Sequence, residues 1–245
     1  MENMLDTIML DLDGTLLQFS QEAFIEVYFT ELKKVFVNLG LETGAAVNAL
    51  WAGTMSMMKN DGAMRNSQRF WRTFSEHTGI TGDRLKTIEA ACDGFYSNEF
   101  NVVKSVLRPC DIPRRLVRAM ISRGFGVVLA TNPLFPLCAV ESRLGWIGLD
   151  TSDFLLVTHY DNSTFCKPDP RYYNEIYLKI NKSPEQCLMA GNNPVEDMHA
   201  GKTGAETYLV TDFLENESGE DVTAYNRGTL AELETYLTSL PDVSK

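Results

Sequence analysis

Short apolar runs alternate with longer amphipathic stretches along most of the chain. Five runs of mostly apolar residues predict strands, over 7–10, 126–130, 154–157, 187–190 and 207–210. From Asp111 onwards, stretches with helical spacing separate these runs, and the first of them ends at Gly124. Alternating strands and helices are typical of an α/β protein with a parallel, doubly wound sheet, which is the predicted fold class.

The segment 18–105 is rich in helical signals and poor in strand signals. Its first apolar side chains recur at steps of three and four, which predicts an amphipathic helix ending near Gly40. Three further helices are predicted over 44–58, 68–77 and 82–100. We therefore expect residues 1–17 and 106–245 to form the α/β core, and residues 18–105 to form an all-helical insert.

The second half of the chain carries several helix-start signals. Asp169 precedes a proline and predicts a helix over 170–180, and another helix is predicted over 194–204. The acidic and polar stretch 212–228 is expected to be a surface loop, and a C-terminal helix is predicted over 229–240.

Composition limits the cellular setting. The chain has 245 residues, 44% of them hydrophobic, which is enough for one sizeable core with a smaller insert. No apolar stretch is long enough to span a membrane, and the first residues do not resemble a signal peptide, so we expect a cytoplasmic protein. Five scattered cysteines without a Cys-x-x-Cys pattern argue against a zinc site or a disulfide framework.

Charge narrows the range of partners. The net charge of −11 argues against sequence-independent binding to nucleic acid and against binding to an anionic membrane. It does not exclude a small phosphorylated substrate, which is sensitive to the local field of its site. Nothing in the sequence indicates an oligomeric state.

Two carboxylates appear where the first predicted strand ends. Asp11 and Asp13 follow the apolar run 7–10, and Gly14 permits a sharp turn directly after them. Ligands of open α/β sheets bind at the carboxyl ends of the strands. A crowded pair of carboxylates suits either a divalent metal or a nucleophile beside a general acid. The alternative is a purely structural role, in which the strand simply ends in an Asp-Gly turn.

Three more polar motifs follow in order. Thr131 and Asn132 end the second predicted strand, and Lys167 precedes Pro-Asp-Pro. The strand 187–190 runs into the acidic stretch 191–197, with the sequence Gly-Asn-Asn-Pro-Val-Glu-Asp. Taken alone, the threonine could simply end a strand and the lysine could be a solvated loop residue.

Together, these four motifs resemble those of the haloacid-dehalogenase-like (HAD) hydrolases. The family pattern is Asp-x-Asp-x-Thr/Val, then a strand closed by Thr or Ser, then a lysine, then an acidic motif, and the resemblance spans residues 7–204. It implies a Rossmann-like core whose helical insert acts as a mobile cap over the active site.

The resemblance also implies the roles of the catalytic residues. Asp11 would be the nucleophile that forms an aspartyl-phosphate, and Asp13 would be the general acid and then the general base. Lys167 would hold Asp11 ionised beside the phosphate. Thr131 and the backbone amides near Gly14 and Asn132 would bind phosphoryl oxygens, together with Lys167.

The resemblance implies that magnesium binds Asp11, the carbonyl of Asp13 and the acidic motif, here Asn192 and Asp197. The first carboxylate of that motif is replaced, because Asn192 and Asn193 stand where an aspartate is usual. An asparagine oxygen can still coordinate magnesium, but the site loses one formal charge.

The expected function is a magnesium-dependent phosphatase that hydrolyses a small phosphorylated metabolite. Asp13 favours this over a dehalogenase, because the dehalogenase branch typically lacks a carboxylate at that position. Two alternatives stay open: a weakly active or inactive relative that senses a phosphorylated ligand, and a sugar-phosphate mutase. The asparagines of the acidic motif keep the first of these open.

Overall fold

The computed structural model describes residues 5–243, which form a six-stranded parallel sheet flanked by helices. The strand order is β3-β2-β1-β4-β5-β6. The strands are β1 (Thr7–Leu10), β2 (Gly126–Leu129), β3 (Leu156–Val157), β4 (Cys187–Gly191), β5 (Glu206–Val210) and β6 (Arg227–Gly228). The predicted fold class, an α/β protein with a parallel doubly wound sheet, is therefore confirmed.

Eight α-helices and five 3-10 helices connect the strands of the described chain. The α-helices are α1 (Gln21–Asn38), α2 (Thr43–Met58), α3 (Asn66–Thr78), α4 (Gly82–Ser97), α5 (Ile112–Ser122), α6 (Leu137–Trp146), α7 (Pro170–Ile180) and α8 (Leu230–Ser239). The 3-10 helices are Glu99–Val106, Thr151–Asp153, Pro184–Gln186, Met198–Thr203 and Val222–Ala224. No helix among residues 5–243 is both long and apolar enough to cross a membrane.

The two central strands are buried on both faces. Every residue of β1 and of β4 is buried, which explains why both read as continuous apolar runs without alternation. Phe36, Leu116 and Leu233 are among the helical side chains in the larger core cluster, and Tyr172 and Tyr173 of α7 belong to a second cluster.

The order of the strands creates a crevice between β1 and β4. The chain moves from β1 outwards to β2 and β3, then returns to place β4 on the other side of β1. Leu10 lies beside Ala190 in the register, and the amide of Asp11 donates to the carbonyl of Ala190 at 2.9 Å. The residues that follow these two strands therefore meet at the switch point, where open α/β sheets bind their ligands.

Every regular element between β1 and β2 in the described chain is a helix. Helices α1 to α4 and the 3-10 helix Glu99–Val106 fill most of the segment 18–105, and α2 packs closely on α3. Stacked and edge-on aromatic pairs join α1 to α4, as between Tyr28 and Tyr96. A separate, mobile cap formed by this segment stays a prediction.

Three elements differ from the sequence-based expectation. The predicted helix 194–204 is a turn followed by the 3-10 helix Met198–Thr203, because the Asn193 side chain accepts from the amides of Val195 and Glu196 and fixes a tight turn. Helix α6 was not predicted. The expected loop 212–228 contains β6, a two-residue edge strand too short to give an apolar pattern.

Candidate active site

Asp11 is the buried carboxylate at the centre of the crevice. It follows β1 directly and is only 7% exposed. Its Oδ1 accepts from Lys167 Nζ at 2.8 Å, and its Oδ2 accepts from Thr15 Oγ1 at 3.1 Å. Both oxygens are thereby oriented by donors that come from different parts of the chain.

Lys167 joins two carboxylates. Its Nζ donates to Asp11 Oδ1 at 2.8 Å and to Asp197 Oδ1 at 2.6 Å, and its side chain is fully buried. Burial lowers the pKa of Lys167, but the charges of Asp11 and Asp197 outweigh it and hold the pKa well above its usual range. The lysine is therefore a fixed positive charge beside Asp11.

Asp13 pairs with an arginine that the sequence analysis did not single out. Arg143 on α6 is completely buried, and its Nη1 donates to Asp13 Oδ2 at 2.5 Å. Burial raises the pKa of the Asp13 carboxyl, and the charge of Asp11 raises it further, while the Arg143 charge opposes both. Asp13 Oδ1 is also buried and has no hydrogen-bond partner within residues 5–243.

Arg143 is held in place by its surroundings. Its Nε donates to the carbonyl of Ala139 at 3.1 Å, and its guanidinium lies 4.5 Å from the ring centre of Phe135. An arginine on an amphipathic helix is normally solvent-exposed, so no sequence signal distinguished this one from a surface residue.

The end of β2 contributes two of the predicted phosphate-binding residues. Thr131 is buried, and its carbonyl accepts from Thr158 Oγ1 at 2.6 Å and Tyr172 Oη at 2.9 Å. Asn132 Nδ2 donates to Glu196 Oε2 at 3.0 Å, whereas Asn132 Oδ1 is buried and unpaired within the described chain. The loop backbone is thus fixed from behind while its polar groups line the cavity.

Gly14 and Asn192 lie against each other. Gly14 has a φ of +76°, and a Cβ at this position would lie 2.2 Å from Asn192 Nδ2. Asn192 Nδ2 donates to the carbonyl of Phe213 at 2.6 Å, and Asn192 Oδ1 accepts from Thr15 Oγ1 at 3.3 Å. The amide oxygen of Asn192 and Oδ2 of Asp11 therefore lie against the same hydroxyl group, that of Thr15.

Asp197 has no carboxylate oxygen left without a protein donor. Its Oδ1 accepts from Lys167, and its Oδ2 accepts from the amide of Asn193 at 2.9 Å. Burial raises the pKa of Asp197, and the Lys167 charge opposes this. Because both of its oxygens accept from protein donors, the clearest role of Asp197 in this geometry is to position Lys167.

Glu215 is a site residue that the sequence analysis missed. It was assigned to a surface loop, but its amide donates to the carbonyl of Asn192 at 3.0 Å, and its side chain lines the same cavity as Asp11. Burial raises its pKa to about 7, and the charge of Asp11 adds to this. It lies within an acidic, polar stretch that has no motif, so the sequence carried no signal for it.

One cavity of about 120 Å³ collects these groups. Its lining includes six of the predicted residues, namely Asp11, Asp13, Thr131, Asn132, Asn192 and Asp197. Lys167 and Gly14 join them through their contacts with Asp11 and Asn192. The structure therefore brings all of the sequence-predicted site residues together.

The residues around Asp11 offer a weak but chemically suitable set of metal ligands. No group of three or more His, Cys, Asp or Glu side chains within residues 5–243 is arranged to hold a metal ion. The oriented amide oxygen of Asn192 and the carboxylate of Asp11 are nevertheless hard oxygen donors, and Glu215 brings another carboxylate to the cavity. Magnesium accepts one or two carboxylates and keeps several waters, so these donors fit it.

Comparison with known proteins identifies one matching family. The model of the haloacid dehalogenase-like hydrolase family matches residues 5–204. No curated protein matches the sequence.

Several solved structures share the fold at low identity. A HAD phosphatase from Thermococcus onnurineus has 17% identity and a TM-score of 0.59, with 98% of this chain and 100% of that one covered. A 2-haloacid dehalogenase from Pseudomonas syringae pv. Tomato has 17% identity and a TM-score of 0.60, with 96% and 99% covered. The HAD-hydrolase YfnB from Bacillus subtilis, bound to magnesium, has 20% identity and a TM-score of 0.55, with 96% and 99% covered.

The family model covers most of the chain, three of the four sequence motifs line one cavity, and Lys167 joins them through Asp11. The chain belongs to the haloacid dehalogenase-like hydrolase family.

Proposed function

We propose that this hydrolase cleaves phosphate monoesters of small metabolites, with magnesium as its cofactor and an aspartyl-phosphate as its intermediate. The observation that carries the proposal is the pairing of Asp11 with Asp13. Asp11 accepts a hydrogen bond from the buried ammonium group of Lys167, whereas burial raises the pKa of Asp13. Two carboxyl groups with opposed environments, two residues apart, suit a nucleophile and a general acid.

In the first step, a carboxylate oxygen of Asp11 attacks phosphorus and the bond to the leaving alcohol breaks. Asp13 gives its proton to the departing oxygen, and the raised pKa of Asp13 favours the protonated form that this requires. Lys167 provides positive charge next to the reacting oxygens, and the hydroxyl of Thr131 donates to a phosphoryl oxygen.

In the second step, water hydrolyses the aspartyl-phosphate. Asp13 left the first step as a carboxylate, so it can accept a proton from the attacking water. Asp11 is then regenerated and phosphate leaves. One residue can serve both steps because each returns Asp13 to the state that the other needs.

Asp11, the carbonyl of Asp13 and Asn192 would hold magnesium, with Glu215 nearby and Asp197 acting through Lys167. When bound, the ion would neutralise charge on the phosphoryl oxygens. The neighbour from Bacillus subtilis is bound to magnesium, which supports the choice of metal. A cytoplasmic location and the absence of nucleic-acid and membrane partners stay predictions.

The retention of Asp13 favours a phosphatase over the dehalogenase reaction named for one of the structural neighbours. The second candidate function is that of a weakly active or non-catalytic protein that binds a phosphorylated ligand. It is favoured by Asn192, which is neutral where the family usually has a carboxylate. A sugar-phosphate mutase would share every core group and would differ only in what attacks the intermediate.

Turnover of p-nitrophenyl phosphate, with magnesium and with a chelator, tests the proposal. We expect phosphate release that needs magnesium and is lost in Asp11→Asn, which keeps the side-chain volume but removes the nucleophile. Asp161→Asn, a change of an exposed aspartate outside the cavity, is the matched control. Equal turnover in Asp11→Asn and wild type would rule out Asp11 as the nucleophile, and no turnover at all would favour the non-catalytic candidate.

A further inference from the structure

A second cavity, of about 140 Å³, adjoins the candidate active site. Its walls come from helices α1 to α4 and from the loop between β2 and α6. Both cavities are lined by Asp13, Gln21, Leu134 and Phe135. They therefore adjoin beside Asp13, the proposed general acid, whereas Lys167 and Asn192 do not line the second cavity.

This position determines which part of a substrate could enter. In the proposed reaction, Asp13 protonates the oxygen that leaves phosphorus, so the leaving group must lie beside Asp13. Asp13 also lines the second cavity. That cavity therefore receives the alcohol portion of the ester and not the phosphate.

The walls of the second cavity are aromatic and largely apolar. Aromatic side chains make up more than half of its lining, with Trp51, Phe70 and Trp71 on the α2–α3 side. Its volume is close to that of an engineered cavity of about 150 Å³, lined by aliphatic and aromatic residues, which binds benzene. A single ring, or an alkyl group of the same size, would fill it.

Polar groups in these walls are mostly satisfied by one another. The hydroxyls of Tyr28 and Tyr96 are 2.8 Å apart and hydrogen-bonded. Trp71 Nε1 donates to Tyr160 Oη at 3.5 Å. Asp13, Gln21 and Asp93 are polar lining residues outside these pairs that could bond a hydroxyl group. A sugar or polyol in this space would therefore lose more hydrogen bonds to water than it regains, which disfavours it.

The walls also carry no positive charge. The charged residues of the cavity lining are Asp13 and Asp93, and none of its described lining residues is Lys, Arg or His. A second phosphate or a carboxylate on the leaving group would meet these carboxylates, and Arg143, the cation that contacts Asp13 and Phe135 of the lining, is already paired with Asp13.

We propose that the substrate is a phosphate monoester whose leaving alcohol is compact and apolar, of which an arylalkyl phosphate is the simplest example. The inference rests on the proposed phosphatase function, since it uses Asp13 to decide which side of the ester faces the aromatic cavity. A cationic alcohol such as choline is the competing class, because aromatic walls with Asp93 nearby could also hold an ammonium group.

The test compares substrates that react alike but differ in the group that enters the cavity. We expect kcat/KM for 2-phenylethyl phosphate to exceed that for 2-hydroxyethyl phosphate by about 10- to 100-fold, the gain from burying one ring. Equal values for the two esters would overturn the inference while the phosphatase function stands. Faster turnover of phosphocholine than of 2-phenylethyl phosphate would overturn it in favour of the cationic class.

Failure to hydrolyse any ester would reject the phosphatase function, so binding is measured separately. The stable analogue 3-phenylpropylphosphonate should bind wild type about 10-fold or more tightly than propylphosphonate, by calorimetry. Equal affinities of the two phosphonates would overturn the assignment of the cavity even for a protein that does not turn over.

Variants of Thr54, which lines the cavity from α2, link the preference to this space. Thr54→Phe should fill part of it and reduce the preference for the phenyl ester about 10-fold or more. Thr54→Val keeps the branched shape of the side chain and loses only the hydroxyl that donates to the Leu50 carbonyl, so it should keep the preference. Thr87→Phe, at an exposed threonine of α4, should behave as wild type. An unchanged preference in a folded Thr54→Phe variant would contradict the assignment, and the wild-type comparisons decide the matter if that variant does not fold.

Discussion

The buried guanidinium of Arg143 and the partly exposed carboxyl group of Asp13 form an ion pair with a separation of 2.5 Å. Asp13 comes from the loop after β1, and Arg143 comes from α6, 130 residues later in the chain. Only one oxygen of Asp13 is engaged, which leaves Oδ1 without a partner in the described chain. Arg143 therefore orients the carboxyl group while one oxygen stays available to a substrate.

This ion pair predicts a change in the pH profile when Arg143 is altered. The Arg143 charge lowers the pKa of Asp13 against the effects of burial and of Asp11. In Arg143→Met the pKa of Asp13 should therefore rise, and the pH optimum of kcat should move to higher pH. Arg143→Lys keeps the charge and should move the optimum less. The measurement is kcat against pH for the three proteins.

Loss of activity with an unchanged pH profile would mean that Arg143 has a structural role only. The melting temperature of each variant separates the two explanations, because a packing defect lowers it without moving the optimum. Arg143 is a positioning residue in this account, since it acts on the reaction through Asp13.

The second prediction concerns the buried charge of Lys167. Lys167→Met would leave Asp11 and Asp197 facing each other without their shared cation. Removing one partner from a buried ion pair typically costs about 3–5 kcal/mol in free energy of unfolding. We expect a loss of that order in urea unfolding at pH 8, together with loss of turnover.

Lys33→Met is the control for this change, because Lys33 is exposed on α1. It should unfold at nearly the wild-type urea concentration. A Lys167→Met variant as stable as wild type at pH 8 would show that the two carboxylates do not depend on the lysine for their charge balance.

The sequence predicted those parts of the molecule that follow from local patterns. The strand ending at Leu10 and the carboxylates after it could be found because an apolar run and a polar motif lie next to each other. Arg143 and Glu215 could not be found in this way. Their roles depend on contacts with residues more than 20 positions away, and neither has a distinctive neighbour in the sequence.

The backbone conformation of the acidic motif also differs from the helix that the sequence predicts. Helix-forming residues after Pro194 favoured a helix, but the side chain of Asn193 satisfies two backbone amides and stabilises a turn instead. These hydrogen bonds of one side chain favour the turn over the helix, and average helix propensities do not include them.

The third prediction links Glu196 to the pH dependence of stability. Burial raises the pKa of Glu196 to about 7, from 4.5 for an exposed glutamate. The folded state then binds the proton more tightly than the unfolded state, so this group lowers stability as the pH rises from about 4.5 to about 7. The loss is at most about 3 kcal/mol for a shift of this size.

Glu196→Gln removes this titration. With a chelator present, the variant should match wild type near pH 5 and melt at a higher temperature than wild type at pH 8. Glu22→Gln, at an exposed position on α1, is the comparison variant for the loss of one carboxylate. A constant difference between Glu196→Gln and wild type across this range would show that Glu196 is not protonated in the folded protein.

The last prediction concerns how the acidic motif holds magnesium. Asn192 lacks the carboxylate usual in the family, but it fixes the segment that brings Glu215 into the cavity. Its Nδ2 donates to the carbonyl of Phe213 at 2.6 Å, and its own carbonyl accepts from the amide of Glu215 at 3.0 Å. An aspartate at position 192 would place a carboxylate oxygen against the Phe213 carbonyl, so Asn192→Asp should lower the melting temperature in chelator.

The same variant, Asn192→Asp, should bind magnesium more tightly than wild type. A charged ligand in place of a neutral one is worth on the order of 1–4 kcal/mol before desolvation is subtracted. The magnesium concentration for half-maximal activity should therefore fall, about tenfold for each 1.4 kcal/mol gained. Glu215→Gln should raise that concentration, because it removes the other carboxylate of this segment. Asp197→Asn should also raise it, since Asp197 fixes Lys167 beside Asp11.

The double variant Asn192→Asp with Glu215→Gln tests whether positions 192 and 215 both supply negative charge to the magnesium ion, or whether Glu215 only stabilises its loop. If the two positions supply the same negative charge to the ion, the aspartate should restore the half-maximal magnesium concentration of Glu215→Gln to about the wild-type value. If Glu215 acts only by stabilising its loop, the melting temperature of Glu215→Gln falls and the aspartate does not restore it. Identical magnesium midpoints in wild type and every variant would mean that this segment does not bind the ion, and that the proposed ligands are wrong.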